Sequence, residues 1–196
     1  DLSKLSPGHS IARDIFFVGI YTSQRVSDYN SEKINNIQEV RDSNGNPILD
    51  KNGMPMKFIS LRQKKTGKEV IIPVSSRLDA ILSKYGYSMP HLSEQKINMY
   101  IKEIARMAGI DEEIKVVKHT GKGDVEETYR KWELIGTHTA RRTGATLMYL
   151  AARNGGMRED DIREITGHSN TRMLEKYIRA NTMEKAAKLG SNPFFD

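Results

Sequence analysis

The sequence contains no cysteine, so disulfide bonds and thiolate metal sites are excluded. Long hydrophobic runs are also missing. The longest, residues 15–21, is far shorter than the roughly 20 apolar residues that span a bilayer. No signal-peptide pattern opens the chain, which begins at Asp1 rather than at methionine. We therefore expect a cytoplasmic protein without membrane contact, and a chain that is part of a longer one.

Acidic residues are in the minority. Asp and Glu number 25 against 31 Lys and Arg, which gives a net charge of +6. A basic surplus fits a polyanionic partner such as nucleic acid, although many basic proteins bind none. No acidic cluster offers a site for a divalent cation, so we expect neither Mg²⁺ nor another cofactor. With 196 residues the chain can bury one core, and we expect a single domain over residues 1–196.

The hydrophobic pattern predicts a mixed α+β fold that is mainly α-helical and contains a small antiparallel sheet. Strands and turns are expected over residues 35–74, where Gly, Asn and Pro mark the turns. A hairpin over 114–134 is either a flap that covers the core through Trp132 or a DNA contact. No internal repeat is expected. A turn and helix start are expected at residues 6–10, followed by a helical stripe over 11–18, a tight region at 19–23 and a second helix that begins near Arg25. Further predicted helices cover residues 75–85, 93–108, 140–153, 159–166, 171–180 and 182–189.

One stretch of the sequence, residues 136–177, combines residues suited to phosphate chemistry. His138 and Arg141 are three residues apart, so on a helix they share a face. His168 lies between two helical patterns, and Tyr177 follows it by nine residues, late in the next predicted helix. An arginine fork matches phosphate oxygens, and a tyrosine hydroxyl can act as a nucleophile.

This stretch resembles the tyrosine recombinase (phage integrase) family. Residues 138–141 match the family's H-x-x-R box, and residues 166–168 match its L-G-H box with Thr166 in the leucine place. The family's nucleophile falls nine residues after the histidine of that box, which is the place of Tyr177.

Two upstream segments extend the resemblance. Residues 22–28 look like the family's T-G-x-R-x-S-E box, which makes Arg25 the first arginine of the site. Ser23 stands where the family usually has glycine, and Asp28 where it usually has glutamate.

The second upstream segment, residues 64–73, is similar to the β-hairpin that carries the family's catalytic lysine. Counting back from Pro73 selects Lys65, with Lys64 and Lys68 as neighbouring alternatives. The site that the resemblance implies therefore consists of Arg25, Lys65, His138, Arg141, His168 and Tyr177.

The resemblance implies the tyrosine recombinase catalytic-domain fold and a specific reaction. The tyrosine would attack a phosphodiester of double-stranded DNA and form a 3′-phosphotyrosyl bond, leaving a free 5′-hydroxyl. Strand exchange would occur in a homotetramer on DNA, through a Holliday junction. The parent would be a bacterial integrase of a phage or conjugative transposon, whose N-terminal DNA-clamping domain is not in this chain. Residues 182–195 would dock on a neighbouring protomer.

Two alternatives stay open at this point. A type IB topoisomerase has the same nucleophile and pocket but does not pair two sites, and a catalytically inactive DNA-binding module needs no nucleophile. Each residue alone also has an ordinary explanation. His138 could cap a helix, Tyr177 could be a half-buried aromatic, and Arg25 and Lys65 could be solvated surface cations.

Overall fold

The computed structural model describes residues 5–121, 123–151 and 157–190, which form eight α-helices and five β-strands. The predicted mixed α+β class, mainly helical with a small antiparallel sheet, is confirmed. In chain order the elements are α1 (Pro7–Thr22), α2 (Val26–Tyr29), β1 (Ile37–Glu39), β2 (Lys57–Arg62), β3 (Glu69–Pro73), α3 (Ser76–Lys84), α4 (Glu94–Met107), β4 (Glu113–Thr120), β5 (Gly123–Arg130), α5 (Thr137–Ala151), α6 (Glu159–Thr166), α7 (Thr171–Glu175) and α8 (Thr182–Gly190).

The bounds of α1 follow from its capping residues. The hydroxyl of Ser6 accepts the backbone N–H of His9 at 3.3 Å, and Pro7 occupies the first turn, where its missing N–H costs nothing. The helix ends at Ser23, which adopts a left-handed conformation with φ of 51° and donates its N–H to Gly19. The helix start predicted within residues 6–10 is confirmed, and the helix continues through residues 19–22, where a tight region was expected.

The sheet has the order β1-β2-β3, and both pairings are antiparallel. Ile59 in the central strand pairs with Ile37 on one side and with Ile72 on the other. Burial alternates along β3, where Val70 and Ile72 are buried and Ile71 is exposed, so one face of the sheet is covered. This face joins α1, α3 and α4 in the main core, and the β2–β3 turn carries the three lysines to the surface.

A smaller core lies where α5, α6 and α7 meet. Ala145, Ile162 and Leu174 are fully buried there, one from each helix. Tyr177 packs against this cluster and is half-buried. The tyrosine is thus held by the C-terminal helices, whereas the lysines belong to the sheet.

The β1–β2 connection contains a repeat, so the expectation of none is wrong. Residues 42–47 and 50–55 share the pattern D-x-N-G-x-P and form two similar turns. The backbone N–H of Val40 donates to Met56, that of Met56 to Ile48, and that of Ile48 to Val40, each at 2.8 Å. These three bonds close a triangle, so most of residues 40–56 is turn rather than continuous strand.

The helix predicted over 171–180 ends at Glu175, so Tyr177 lies in the turn after it and not late in the helix. The cause is a tertiary contact from α5. The hydroxyl of Thr146 accepts the backbone N–H of Arg179 at 2.9 Å, and this N–H is then unavailable for a further helical turn. The nucleophile candidate is therefore presented by a turn that α5 fixes.

The predicted hairpin is confirmed as β4 and β5, although residues 131–134 form a short 3₁₀ helix. Trp132 in that helix is half-buried, with the Arg106 guanidinium 5.9 Å from its ring. The predicted final helix is α8. Phe194 and Phe195, and the predicted helix stop at Gly155 and Gly156, lie outside the described residues.

Among the helices in the described part of the chain, none has both the length and the apolar composition needed to cross a membrane.

The contact between α1 and α5 leads to a stability prediction at Gly144. A Cβ at this position would lie 2.1 Å from the backbone oxygen of Ile20. In an ordinary helix interior Gly→Ala stabilises by about 1 kcal/mol, but here α1 and α5 must move apart. We expect Gly144→Ala to lower the free energy of unfolding by roughly 1–3 kcal/mol, measured by urea denaturation.

The matched control is Arg142→Ala, an exposed position in the same helix, which should change the free energy of unfolding by less than about 0.5 kcal/mol. If Gly144→Ala proves as stable as the original chain, the two helices do not pack as described.

Candidate active site

One cavity of about 310 Å³ brings together five of the six residues that the sequence singles out. It is lined by Arg25, Val26, Ser27, Lys65, Glu94, Thr137, His138, Arg141 and Tyr177. The sixth residue, His168, is buried next to Arg141. A larger cavity of about 530 Å³, lined by residues 29–33 and 88–91 among others, contains none of the six.

Arg141 in α5 is almost completely buried, and its guanidinium is held by three acceptors. Nη1 donates to the backbone oxygen of Ser23 at 2.7 Å, and Nη2 donates to the oxygen of Thr166 at 3.0 Å and to Nε2 of His168 at 3.1 Å. Nε has no partner among the described residues. A buried donor without a partner is costly.

The pKa of Arg141 is lowered to about 10, because burial disfavours its charge and the positive charge of Arg25 lies nearby. Tyr177 and Asp28 act in the opposite direction. The guanidinium is therefore still protonated at neutral pH, so the cavity has a fixed cation in its wall.

His168 is neutral, and its partners define which nitrogen carries the proton. The hydroxyl of Thr166 donates to the backbone oxygen of Ile162 at 2.7 Å, so its oxygen accepts from Nδ1 of His168 at 2.7 Å. Nε2 then accepts from Arg141. Burial, followed by the charges of Arg141, Arg25 and Lys68, lowers the pKa of His168 to about 4. In this arrangement the imidazole orients the guanidinium.

Gly167, which precedes this histidine, is required by its backbone and by its surroundings. Its φ is 72°, and it caps α6 in the left-handed conformation. A Cβ there would lie 2.4 Å from the amide nitrogen of Gln63. The T-G-H segment can therefore approach β2 only with glycine at its centre.

Tyr177 lies against the two residues just described. Its ring centre is 4.6 Å from that of His168, with the planes inclined at 49°. The Arg141 guanidinium carbon is 5.3 Å from the same ring. The structure thus places the tyrosine of the turn after α7 beside the buried arginine of α5.

Arg25 directly precedes α2, after a tight turn at Ser23. Ser23, which stands where the family usually has glycine, has a positive φ that disfavours side chains. Its hydroxyl donates to the backbone oxygen of Arg141 at 2.9 Å, and its own oxygen accepts from the guanidinium. These two bonds offset the strain and tie the first arginine of the site to the second.

Lys65 is exposed at the β2–β3 turn and reaches the cavity wall. Of the three lysines in this fully described turn, it alone lines the cavity. The backbone N–H of Lys64 donates to a carboxylate oxygen of the buried Asp28 at 2.7 Å. Asp28, the second departure from the family box, therefore ties the lysine turn to α2.

His138 lies in the first turn of α5, exposed on the cavity side. The start of this helix is held by α4. The backbone N–H of Thr137 donates to Asn98 Oδ1 at 2.9 Å, and its hydroxyl donates to Glu94 Oε1 at 2.7 Å. Sequence reasoning missed Glu94 and Thr137, because Glu94 resembles an ordinary acidic residue in the first turn of a helix.

No protein-family model matches the chain, and no curated protein matches it. Solved structures do match. A post-cleavage complex of the XerH site-specific recombinase bound to palindromic difH substrate superposes with a TM-score of 0.60 at 14% identity. The superposition covers 96% of this chain and 48% of the XerH chain. The pre-cleavage XerH complex with difH substrate superposes with a TM-score of 0.58 at 13% identity. This superposition covers 95% of this chain and 48% of the XerH chain.

The chain therefore has the fold of the tyrosine recombinase catalytic domain, as the sequence resemblance implied. It spans about half the length of the XerH structures that it matches. At this low identity the likeness concerns the fold, and the chemistry must be argued from the residues of this chain.

The buried neutral state of His168 leads to a pH prediction. In the unfolded chain a histidine binds a proton near pH 6.5, whereas folded His168 does so only near pH 4. Its contribution to stability is present above pH 6.5 and is lost as the pH falls towards 4. We expect the free energy of unfolding to decrease in this window, with up to about 1.4 kcal/mol per pH unit from His168.

Urea denaturation between pH 7.5 and 4.5 measures this effect. His168→Gln lacks the titrating group, so its stability should decline less steeply below pH 6.5. Parallel pH profiles for the two proteins would show that His168 is not buried as a neutral imidazole.

Proposed function

We propose that the chain is the catalytic domain of a tyrosine-type site-specific recombinase, an integrase of a mobile element, which cuts and rejoins double-stranded DNA. The observation that carries this proposal is the cavity. Five residues from distant parts of the chain line this cavity, and His168 is hydrogen-bonded to one of them, Arg141. The five are Arg25, Lys65, His138, Arg141 and Tyr177. The assembly supplies a nucleophile, cations for a phosphate and a proton donor.

In the proposed first step, the hydroxyl oxygen of Tyr177 attacks the phosphorus of a phosphodiester. An O–P bond to the tyrosine forms, the bond from phosphorus to the 5′-oxygen breaks, and His138 takes up the phenol proton. Arg25 and Arg141 bind the non-bridging oxygens. The three bonds that hold the Arg141 guanidinium in place support this role, since preorganised donors stabilise the charge that develops in the transition state.

Lys65 is the proposed general acid. An alkoxide is a poor leaving group, and protonation of the 5′-oxygen by a positioned side chain typically accelerates such a step by about 10²–10⁴-fold. The product is a 3′-phosphotyrosyl bond and a free 5′-hydroxyl. Since the energy of the phosphodiester is kept in the phosphotyrosyl bond, the reverse attack by a 5′-hydroxyl rejoins the strand without ATP.

We further propose that the parent protein acts as a homotetramer on paired DNA sites, with an additional DNA-clamping domain that precedes this chain. The net charge of +6 supports binding to the DNA backbone. In this proposal residues 182–190 belong to an exchange element that docks either in its own chain or on a neighbouring protomer during strand exchange, in a bacterial, DNA-associated complex.

The nucleophile assignment is tested with nicked suicide substrates, which carry the DNA ends of the element that encodes the protein. Tyr177→Phe should bind this DNA as the unaltered protein does, because only a hydroxyl is lost. It should give no denaturant-resistant protein–DNA adduct on gel electrophoresis. Tyr149→Phe is the control and should form the adduct normally. If Tyr177→Phe forms the adduct, or if Tyr149→Phe fails to form it, a residue other than Tyr177 is the nucleophile.

The recombinase and topoisomerase alternatives differ in whether two sites are joined. We expect the full-length protein to recombine a plasmid that carries two target sites, with Tyr177→Phe inactive. We also expect little relaxation of a supercoiled plasmid that lacks target sites. Efficient relaxation of that plasmid without any recombinant product would favour a type IB topoisomerase. DNA binding without either product would favour an inactive DNA-binding module.

A further inference from the structure

Gln63 is a buried polar residue that the mechanism above does not use. It lies just after β2, two residues before Lys65, and only 1% of its surface is exposed. Nε2 donates to Gln24 Oε1 at 2.6 Å and to the backbone oxygen of Thr166 at 2.9 Å. Oε1 accepts from the hydroxyl of Thr66 at 2.7 Å.

These contacts connect the three segments that carry the site. Gln24 is the residue before Arg25, whose Nη1 lies 3.5 Å from Oε1 of Gln63. Thr166 accepts from Arg141 and from His168, and Thr66 is the residue after Lys65. The Gln63 amide therefore lies at the junction between the lysine turn and the two arginines.

Only an amide satisfies this junction. Both of its N–H groups have acceptors, and its oxygen has a donor at 2.7 Å. A carboxylate could not donate to Thr166, and an apolar side chain would leave buried polar groups unpaired. Gly167 adds a second constraint, because its missing side chain is what allows the amide to approach.

We propose that Gln63 is a positioning residue, which places the general acid Lys65 relative to the arginines through its bond to the hydroxyl of Thr66. The proposal rests on the proposed recombinase function. The lysine turn is exposed and lies outside the core. Backbone bonds between Gln63 and both Gly67 and Lys68 close the turn, and Arg62 Nε donates to the oxygen of Gly67 at 2.8 Å. The links from the turn to the segments of the two arginines are the Thr66–Gln63 bond and the bond from the N–H of Lys64 to Asp28.

The physical reason is the short reach of proton transfer. A general acid must approach the receiving oxygen to within about 3 Å, and a misplacement of about 1 Å can cost 10²-fold in rate. Loss of the Thr66 bond loosens the turn without touching the contacts of Arg141. The defect should therefore appear in protonation of the leaving oxygen, and not in binding of the non-bridging oxygens.

Thr66→Ala tests the link with little risk to folding, because Thr66 is exposed. Besides the bond to Gln63, its hydroxyl oxygen accepts the N–H of Lys68 at a long 3.4 Å. We expect cleavage of ordinary DNA by the full-length Thr66→Ala protein to slow by roughly 10- to 100-fold. Thr66→Ser keeps the hydroxyl and should cleave within about twofold of the unaltered protein.

The decisive measurement uses a substrate with sulfur at the bridging 5′ position. A thiol has a pKa of roughly 8.5, so sulfur leaves without a proton. Thr66→Ala should cleave this substrate almost as fast as the unaltered protein does, as should Lys65→Ala. Arg25→Ala should stay slow on both substrates, because its side chain binds non-bridging oxygens.

Gln63→Glu provides the complementary test. The carboxylate still accepts from Thr66 but no longer donates to Thr166, whose oxygen also holds Arg141. We expect this variant to be slow on both substrates, with a circular dichroism spectrum like that of the unaltered protein. Sulfur should therefore rescue Thr66→Ala and leave Gln63→Glu slow.

Two results would overturn the inference alone. One is normal cleavage of ordinary DNA by Thr66→Ala, and the other is a defect in Thr66→Ala that is equal on both substrates. If the unaltered protein forms no covalent adduct with either substrate, the proposed function itself fails. That outcome is distinct, because no variant would then cleave either substrate.

Discussion

The arrangement of the site depends on the buried guanidinium of Arg141. A charge in a protein interior is tolerated only when acceptors surround it, and here they are two backbone oxygens and one imidazole nitrogen. Each acceptor constrains a different segment. Ser23 must turn through a left-handed conformation, Thr166 must end α6 beside the arginine, and His168 must stay neutral. The H-x-x-R helix, the first arginine box and the T-G-H turn are therefore one hydrogen-bonded unit.

Positive charge predominates among the side chains that line the cavity. Arg25, Lys65 and Arg141 line its wall against one carboxylate, Glu94, which already accepts from Thr137. Burial and then the charge of Arg25 lower the pKa of Arg141. Burial, followed by the charges of Arg141, Arg25 and Lys68, lowers the pKa of His168. A phosphate would offset these charges. The site is thus preorganised for an anion, which is the condition for electrostatic catalysis.

Sequence reasoning found the parts of the site that depend on local spacing. Helical periodicity predicts that His138 and Arg141 share a face, whereas Lys65 was selected through the resemblance of residues 64–73 to the family's lysine hairpin. Gln63 and Glu94 were missed, because an amide or carboxylate becomes informative only when its distant partners are known. Tyr177 was expected within a helix, since its local pattern carries no sign of the Thr146 contact that ends α7. The repeat in residues 40–56, by contrast, was visible in the sequence.

The charge pattern of the β4–β5 hairpin bears on where DNA would lie. Residues 113–130 carry as many acidic as basic side chains, although the whole chain is basic. Two lysines of β4 face carboxylates of the opposite strand, with Lys115 2.8 Å from Glu126 and Lys118 2.5 Å from Glu127. Such exposed pairs add little stability, but a lysine paired in this way must break its bond before it meets a phosphate. The pairing argues against a DNA contact through these two lysines. The strands do not cover the core either, since Val117 and Val125 are 50% and 46% exposed and only Trp132 at the base is half-buried. The basic surplus then lies outside the hairpin, in the part of the chain that includes the walls of the cavity.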